Sequence, residues 1–149
     1  MRNSDPQQAG CNPVDWVKTR VEELYGVAGQ GSYEGDIAAQ IQGTFSPGAQ
    51  VIMNHEPVSL RRYTDVLQSE RAATVKTDVQ WMDVNEADTN MGQPEGRIVA
   101  GSFNVTRTMK FRVRVSPVKL SQRVWFSARL VEDTPEKLAI EQLFLTTSK

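Results

Sequence analysis

VAGSFNVTRTMKFRVRV, from Val99 to Val115, alternates along its whole length. Odd positions are apolar except Gly101 and Arg107. Even positions after Ala100 are polar or charged: Ser102, Asn104, Thr106, Thr108, Lys110, Arg112 and Arg114. A period of two over this length is a strand with one face on a core and one in water. Arg107 breaks the pattern. Either the strand bulges there or a guanidinium enters a cavity on the core side. Gly101 is a plausible place for such a strand to bend.

Working outward, the same period continues. Downstream, Ser116-Pro117 marks a turn, and Leu120, Val124, Phe126, Ala128 and Leu130 alternate in the next strand. Thr134-Pro135 breaks it. Leu138 to Thr146 makes a last strand whose centre, Ile140 and Leu143-Phe144-Leu145, is apolar on both faces, as in a strand buried on both sides. Upstream, Val75, Val79 and Trp81 share parity in a strand running to about Val84. A polar loop, Asn85 to Glu95, separates it from the long strand.

The first half reads as helical. Residues 1 to 11 are a polar, disordered leader. Asn12-Pro13 starts a helix, with Asn as N-cap, Pro at the first position and Asp15 in the first turn. Its stripe is Val17, Val21, Leu24 and Tyr25, and the glycine-rich Gly26 to Gly35 ends it. Asp36 caps a second helix in which Ile37, Ile41 and Phe45 repeat every four residues before Pro47-Gly48. Gln50 to Ser59 is a short hairpin: Val51-Ile52-Met53, a turn at Asn54-His55, then Pro57-Val58. Ser59 caps a third helix with the apolar face Leu60, Tyr63, Val66 and Leu67. Three helices followed by a meander predict an α+β fold, with the helices packed in the concave side of a curved, mostly antiparallel sheet.

Size and charge narrow the function classes. The 149 residues suit one domain, 12–149 after the leader. A net charge of −1 supplies no global positive field for nucleic acid. One cysteine, Cys11, allows no intrachain disulfide, and no apolar run reaches the ~20 residues of a membrane span. The chain reads as a soluble cytoplasmic protein. One histidine and one cysteine make a metal site improbable, and nothing calls for a cofactor. The glycine-rich GVAGQGSYEG lacks the Gly-Lys-Ser/Thr ending of a phosphate loop. The sequon Asn104-Val105-Thr106 falls inside a strand and is discounted.

The order of elements, together with TFSPGAQVIMNHEPVSL, QVIMNHEPVSLRRYTDVLQSERAA and IVAGSFNVTRTMKFRVR, resembles the nuclear-transport-factor-2-like (SnoaL-like) superfamily, and in particular uncharacterised fungal members. The resemblance covers about Pro13 to Ser148. It implies a cone-shaped domain, a pocket between sheet and helices, and frequent dimerisation through the sheet. Members include dehydratases, isomerases, cyclases, transport adaptors and non-enzymatic domains, so the fold selects no activity. Several of the enzymes place a pocket histidine on the long strands; this chain has none there. His55 instead suits a hairpin turn that wants positive φ.

Parity nominates a site. If Arg107 faces inward it lies beside Phe103, Val105 and Met109, and a buried guanidinium needs a partner. Asp83 shares parity with Val75, Val79 and Trp81. Asp83 and Arg107 are therefore expected to meet at the open end of the cone, near Trp81 and Tyr63. There the carboxylate acts as general base in a cofactor-free isomerase, dehydratase or cyclase. Trp81, Tyr63, Phe103, Met109 and Phe126 would line a pocket for an apolar or aromatic metabolite. If those side chains fill the cone instead, the chain is a non-catalytic dimeric module. Trp125 points outward between Arg123 and Arg129, as at the contact of a homodimer. Charge is uneven: eight basic residues and no acid from Arg97 to Val131, five acids and no base from Asp78 to Glu95. Cross-strand pairing on the solvent face is the simplest use of that asymmetry.

Overall fold

A computed structural model describes residues 12–26, 37–87, 97–113, 115–134 and 137–148. The leader, the cap at Asp36, and most of the glycine-rich stretch and of the polar loop before the long strand lie outside the described residues. The elements run α1 (Pro13–Tyr25), α2 (Ile37–Thr44), β1 (Phe45–Met53), β2 (Glu56–Val58), α3 (Leu60–Ala72), β3 (Thr74–Glu86), β4 (Arg97–Val113), β5 (Ser116–Thr134) and β6 (Lys137–Ser148).

The six strands form one sheet in the order β2-β1-β6-β5-β4-β3. Every pairing is antiparallel except β1 with β6. The three helices cover one face, which gives the expected α+β architecture. Val99, Val105, Val124 and Ala128 are fully buried at its centre. Strands β4 and β5 are the longest, and with β6 they supply the sheet's share of the core.

Local chemistry sets the ends of the elements. Asn12 Oδ1 accepts from the Val14 and Asp15 amides at 3.1 and 3.3 Å, satisfying donors that the first turn of α1 leaves free. Gly26 closes α1 at φ 80°, a left-handed conformation that costs glycine little. Ser59 Oγ accepts from the Arg62 amide at 3.0 Å and starts α3. Asn54 and His55 both have positive φ, 51° and 70°. They turn β1 into β2 with Met53 opposite Glu56 and Val51 opposite Val58.

Three boundaries differ from the sequence reading. α2 stops at Thr44, because Phe45 already pairs with Ile140 in the sheet; its ring stays buried, 6.0 Å from that of Tyr63. β1 then runs through Pro47-Gly48, where its ladder to β6 is irregular. Ser116-Pro117 begins β5 instead of forming the turn. Phe144, expected to be buried, is 44% exposed while Leu143 and Leu145 face the core. β6 therefore buries one face at this point, as a strand in a sheet with helices on one side only must.

Candidate functional site

At the mouth of the cone the core stripe of α3 ends in a carboxylate. Leu60, Tyr63, Leu67 and Glu70 recur at helical spacing, so Glu70 is carried over the sheet beside its apolar neighbours. Arg107 does turn inward. Its Nη2 donates to Glu70 Oε1 at 2.9 Å, and its guanidinium lies 5.5 Å from the centre of the Tyr25 ring. The Arg107 side chain is 11% exposed and that of Glu70 40%. Thr77, opposite Arg107 in the ladder, is buried beneath the pair. Next to Glu70, Arg71 Nη2 donates to the Glu23 carbonyl at the end of α1 and to Gln40 Oε1 on α2 at 2.8 Å. One short segment of α3 thus ties both other helices and the sheet together.

The charges respond to this packing. Burial pushes the Glu70 carboxyl above its ordinary value, and the neighbouring Arg107 opposes the rise. Tyr25 is pushed up to about 12, first by burial and then by the Glu70 charge. Tyr63 is raised well above the usual phenol range for the same leading reason. Both phenols therefore hold their protons at neutral pH. Glu70 is the group in the cluster placed to exchange one.

The site does not contain Asp83. Trp81 pairs with Phe103 and Val84 with Gly101, so Met82 and Asp83 together face Ser102. That extra residue is a β-bulge. Trp81 and Val84 pack against the core, while Met82 and Asp83 are exposed. The expected meeting of Asp83 with Arg107 does not form: Arg107 stands opposite Thr77, far along β3 from Asp83, pleat parity slips at the bulge, and Glu70 holds the guanidinium. Sequence reasoning misses Glu70 although its spacing from Tyr63 and Leu67 marks it, because the stripe is followed only through its apolar members, Leu60, Tyr63, Val66 and Leu67.

Among the described residues the interior behind the mouth is filled by aromatic side chains. The Phe103 ring lies 4.8 Å from Trp81, 5.6 Å from Tyr25 and 6.0 Å from Phe126. What remains among Tyr25, Phe45, Tyr63, Phe103 and Phe126 is a cavity of about 20 Å³, measured as the space open to the centre of a water molecule. That is room for about one water. Trp81 seals the seam with α1: its Nε1 donates to Glu22 Oε2 at 2.8 Å, and Lys18 Nζ sits 5.8 Å from its ring. Met109 is buried opposite Thr74, at the start of β3. Among the described residues no group of three or more His, Cys, Asp or Glu side chains converges as metal ligands would. No helix among them is long and apolar enough to cross a membrane.

The outer face of the sheet presents the opposite character. Trp125 is 44% exposed, with the Arg123 guanidinium 5.6 Å from its ring. Phe144 lies diagonally across the ladder from it, and Ile52 is next to Phe144. Arg123 Nε donates to Asn104 Oδ1 at 2.7 Å, and Arg129 lies 3.4 Å from Glu141. Acid and base pair across the sheet at one end, where Arg97 Nε on β4 lies 3.8 Å from Glu86 Oε2 on β3; further along they are held apart. Asp78, Gln80 and Met82 on β3 stand beside Thr106, Asn104 and Ser102 on β4, all neutral, and only beyond these come Ser121, Arg123 and Trp125 on β5. Two strand spacings, roughly 10 Å, separate the carboxylates from the cations.

No family model matches the chain, and no curated protein does. Solved structures do. A chain of the Candida albicans Mtr2–Mex67 M domain complex superposes with a TM-score of 0.59 at 13% identity, over 96% of this chain and 95% of that one. AclR from Streptomyces galilaeus, to which a hydroxylase activity is ascribed, gives 0.60 at 15% identity, over 91% and 90%. Nuclear transport factor 2 from Cryptosporidium parvum gives 0.60 at 10%, over 99% and 100%. The resemblance seen in the sequence is thus met at the level of architecture: this chain has the nuclear-transport-factor-2-like fold.

Proposed function

We propose that the chain is a non-catalytic interaction module that docks protein through the outer face of its sheet, with a second copy of itself as the first partner. One contrast carries the reading. The hollow that would hold a metabolite has room for about one water, whereas Trp125 and Phe144 stand in solvent on the opposite face. Ligand pockets for metabolites run to several hundred Å³. Large aromatics flanked by arginine are what protein interfaces select. The fold accommodates such use, since one of its structural neighbours is a chain from a two-protein complex.

Sedimentation equilibrium of the purified chain and of Trp125→Arg tests this. The wild type is expected to associate and the variant to sediment as a monomer with unchanged secondary structure. A wild-type monomer throughout the micromolar range, or a variant with the wild-type mass, defeats the reading. A metabolite-binding role would have to act at the mouth, through Arg107 and Glu70, and would require the aromatic cluster to part.

A further inference from the structure

Beyond the body of the sheet, β4 and β5 continue as a two-stranded ribbon. The register of β4 with β3 ends at Met109, opposite Thr74, and that of β5 with β6 begins only at Arg123, opposite Ser148. Among the described residues, Ser116 to Gln122 therefore have a strand neighbour on one side only, in β4. Even that ladder is irregular between Thr108 and Arg112. It resumes with Arg112 opposite Pro117 and Val113 opposite Ser116. Two strands without a third are marginally stable in water, so this end of the sheet opens at little cost. Ser116 and Lys119 are exposed. From Lys110 to Lys119 the sequence carries four cations and no acid.

The free edge begins with Ser116-Pro117-Val118-Lys119: a hydroxyl, a proline directly after it, and a cation three residues on. Each has a use to an enzyme that binds its substrate as an extended strand. Proline has no N–H, so a pocket for it needs no acceptor; any other residue there would bury an unpaired donor. Lys119 offers its charge to an anionic subsite. We propose that Ser116 is a phosphorylation site for a proline-directed kinase. Ser116 Oγ attacks the γ-phosphorus of ATP, and an O–P bond forms. The bond from that phosphorus to the β–γ bridging oxygen breaks, ADP leaves with the electron pair, and the hydroxyl proton passes to a carboxylate of the kinase. The phosphate brings a charge of about −1.5 to −2 and offsets roughly half of the cations between Lys110 and Lys119.

The fold separates two segments that share one spacing. Thr134-Pro135-Glu136-Lys137 has the same hydroxyl, proline and cation. There Thr134 and Lys137 are partners across the β5–β6 ladder, so their backbones sit about 5 Å apart. Ser116 and Lys119 instead follow one another along β5, roughly 10 Å apart. Only the second arrangement is the extended shape such an enzyme takes. Ser46-Pro47 has Ala49 in place of the cation, and Ser46 Oγ donates to the Ile140 carbonyl at 3.4 Å.

Phosphoryl transfer to the intact folded chain tests this, using a proline-directed serine/threonine kinase and ATP labelled at the γ-phosphate, with the modified residue located by fragment masses. One phosphate per chain is expected, on Ser116. Pro117→Ala keeps the hydroxyl and should lower the initial rate on the order of tenfold. Lys119→Ala should lower it several-fold. Circular dichroism checks that both variants fold, and locating the phosphate in the wild type needs neither of them. A chain that takes no phosphate, or takes it on Thr134 or Ser46 as fast as on Ser116, overturns the proposal. So does a folded Pro117→Ala chain labelled at the wild-type rate.

Discussion

The carbonyl oxygen of Asp83 occupies the space beside Gly101 where a side chain would begin: a Cβ on residue 101 would lie 2.0 Å from it. No L-residue other than glycine fits under that carbonyl without moving the backbone of β3. The bulge at Met82–Asp83 and the glycine opposite it are therefore one feature. Gly101→Ala is expected to lower stability by roughly 2–3 kcal/mol, through overpacking against main chain that cannot swing away. Asp83→Asn, which alters only an exposed side chain on the same bulge, should stay within about 0.5 kcal/mol of wild type. Urea midpoints of the two variants check this, and equal losses would mean that the bulge is not what the glycine serves.

The hairpin makes a second test. His55 holds φ 70°, a region that β-branched residues enter only at cost. His55→Val should lose about 1–2 kcal/mol, and His55→Gly should lose none. Thermal scans of both variants decide it. A His55→Gly variant as weak as His55→Val would show that the imidazole makes a contact the turn depends on.

Glu70 gives a pH dependence with a definite sign. Burial raises its carboxyl above the unfolded value, against the pull of Arg107. The folded state therefore binds this proton more tightly than the unfolded state. Ionised Glu70 weighs against folding at neutral pH, and that weight is lifted as pH falls through the raised folded value toward the ordinary one. Glu70→Gln removes the group. The stability difference, wild type minus variant, should move in favour of wild type as pH falls from neutral toward the ordinary carboxylate range. A shift in the other direction in urea titrations would mean that attraction by Arg107 outweighs burial.

Phe103 tests whether the interior is closed by its aromatic cluster. The ring contacts Trp81, Tyr25 and Phe126 and is almost fully buried. Phe103→Ala should cost about 3–5 kcal/mol. The new void adjoins the existing cavity and is apolar, so the variant should bind a small aromatic such as benzene while wild type does not. Calorimetry that finds benzene binding in wild type would contradict a filled cone.

How much of this was legible in the sequence depends on what each signal rests on. The α+β order was readable because caps and periods are local: Asn12, Ser59 and the alternation of β4 act within a few residues. The parity of Phe103, Val105, Arg107 and Trp125 was readable for the same reason. Asp83 was misplaced because a bulge adds one residue to a strand and reverses everything beyond it, and only the partner strand reveals it. Gly101 was suspected as a bend in its own strand. Its use is to admit the neighbour's carbonyl, a relation no single stretch contains. Glu70 carried the right spacing but the wrong chemistry for a stripe, and its partner lies 37 residues away. Phe144 looked buried because its neighbours are apolar, although alternation alone sends it outward.

The parallel pairing of β1 with β6 has a consequence for how the chain comes together. β6 follows every other element, yet it sits third in the sheet, with Phe45 beside Ile140 and Val51 beside Leu143. Until it arrives, the β1–β2 hairpin and the β3–β5 meander are two fragments with no common edge. Within the sheet, the hairpin gains its strand neighbour only when the final strand is in place. Such a chain completes its native order late and in one concerted closure, the behaviour expected where the decisive contacts span nearly the whole length.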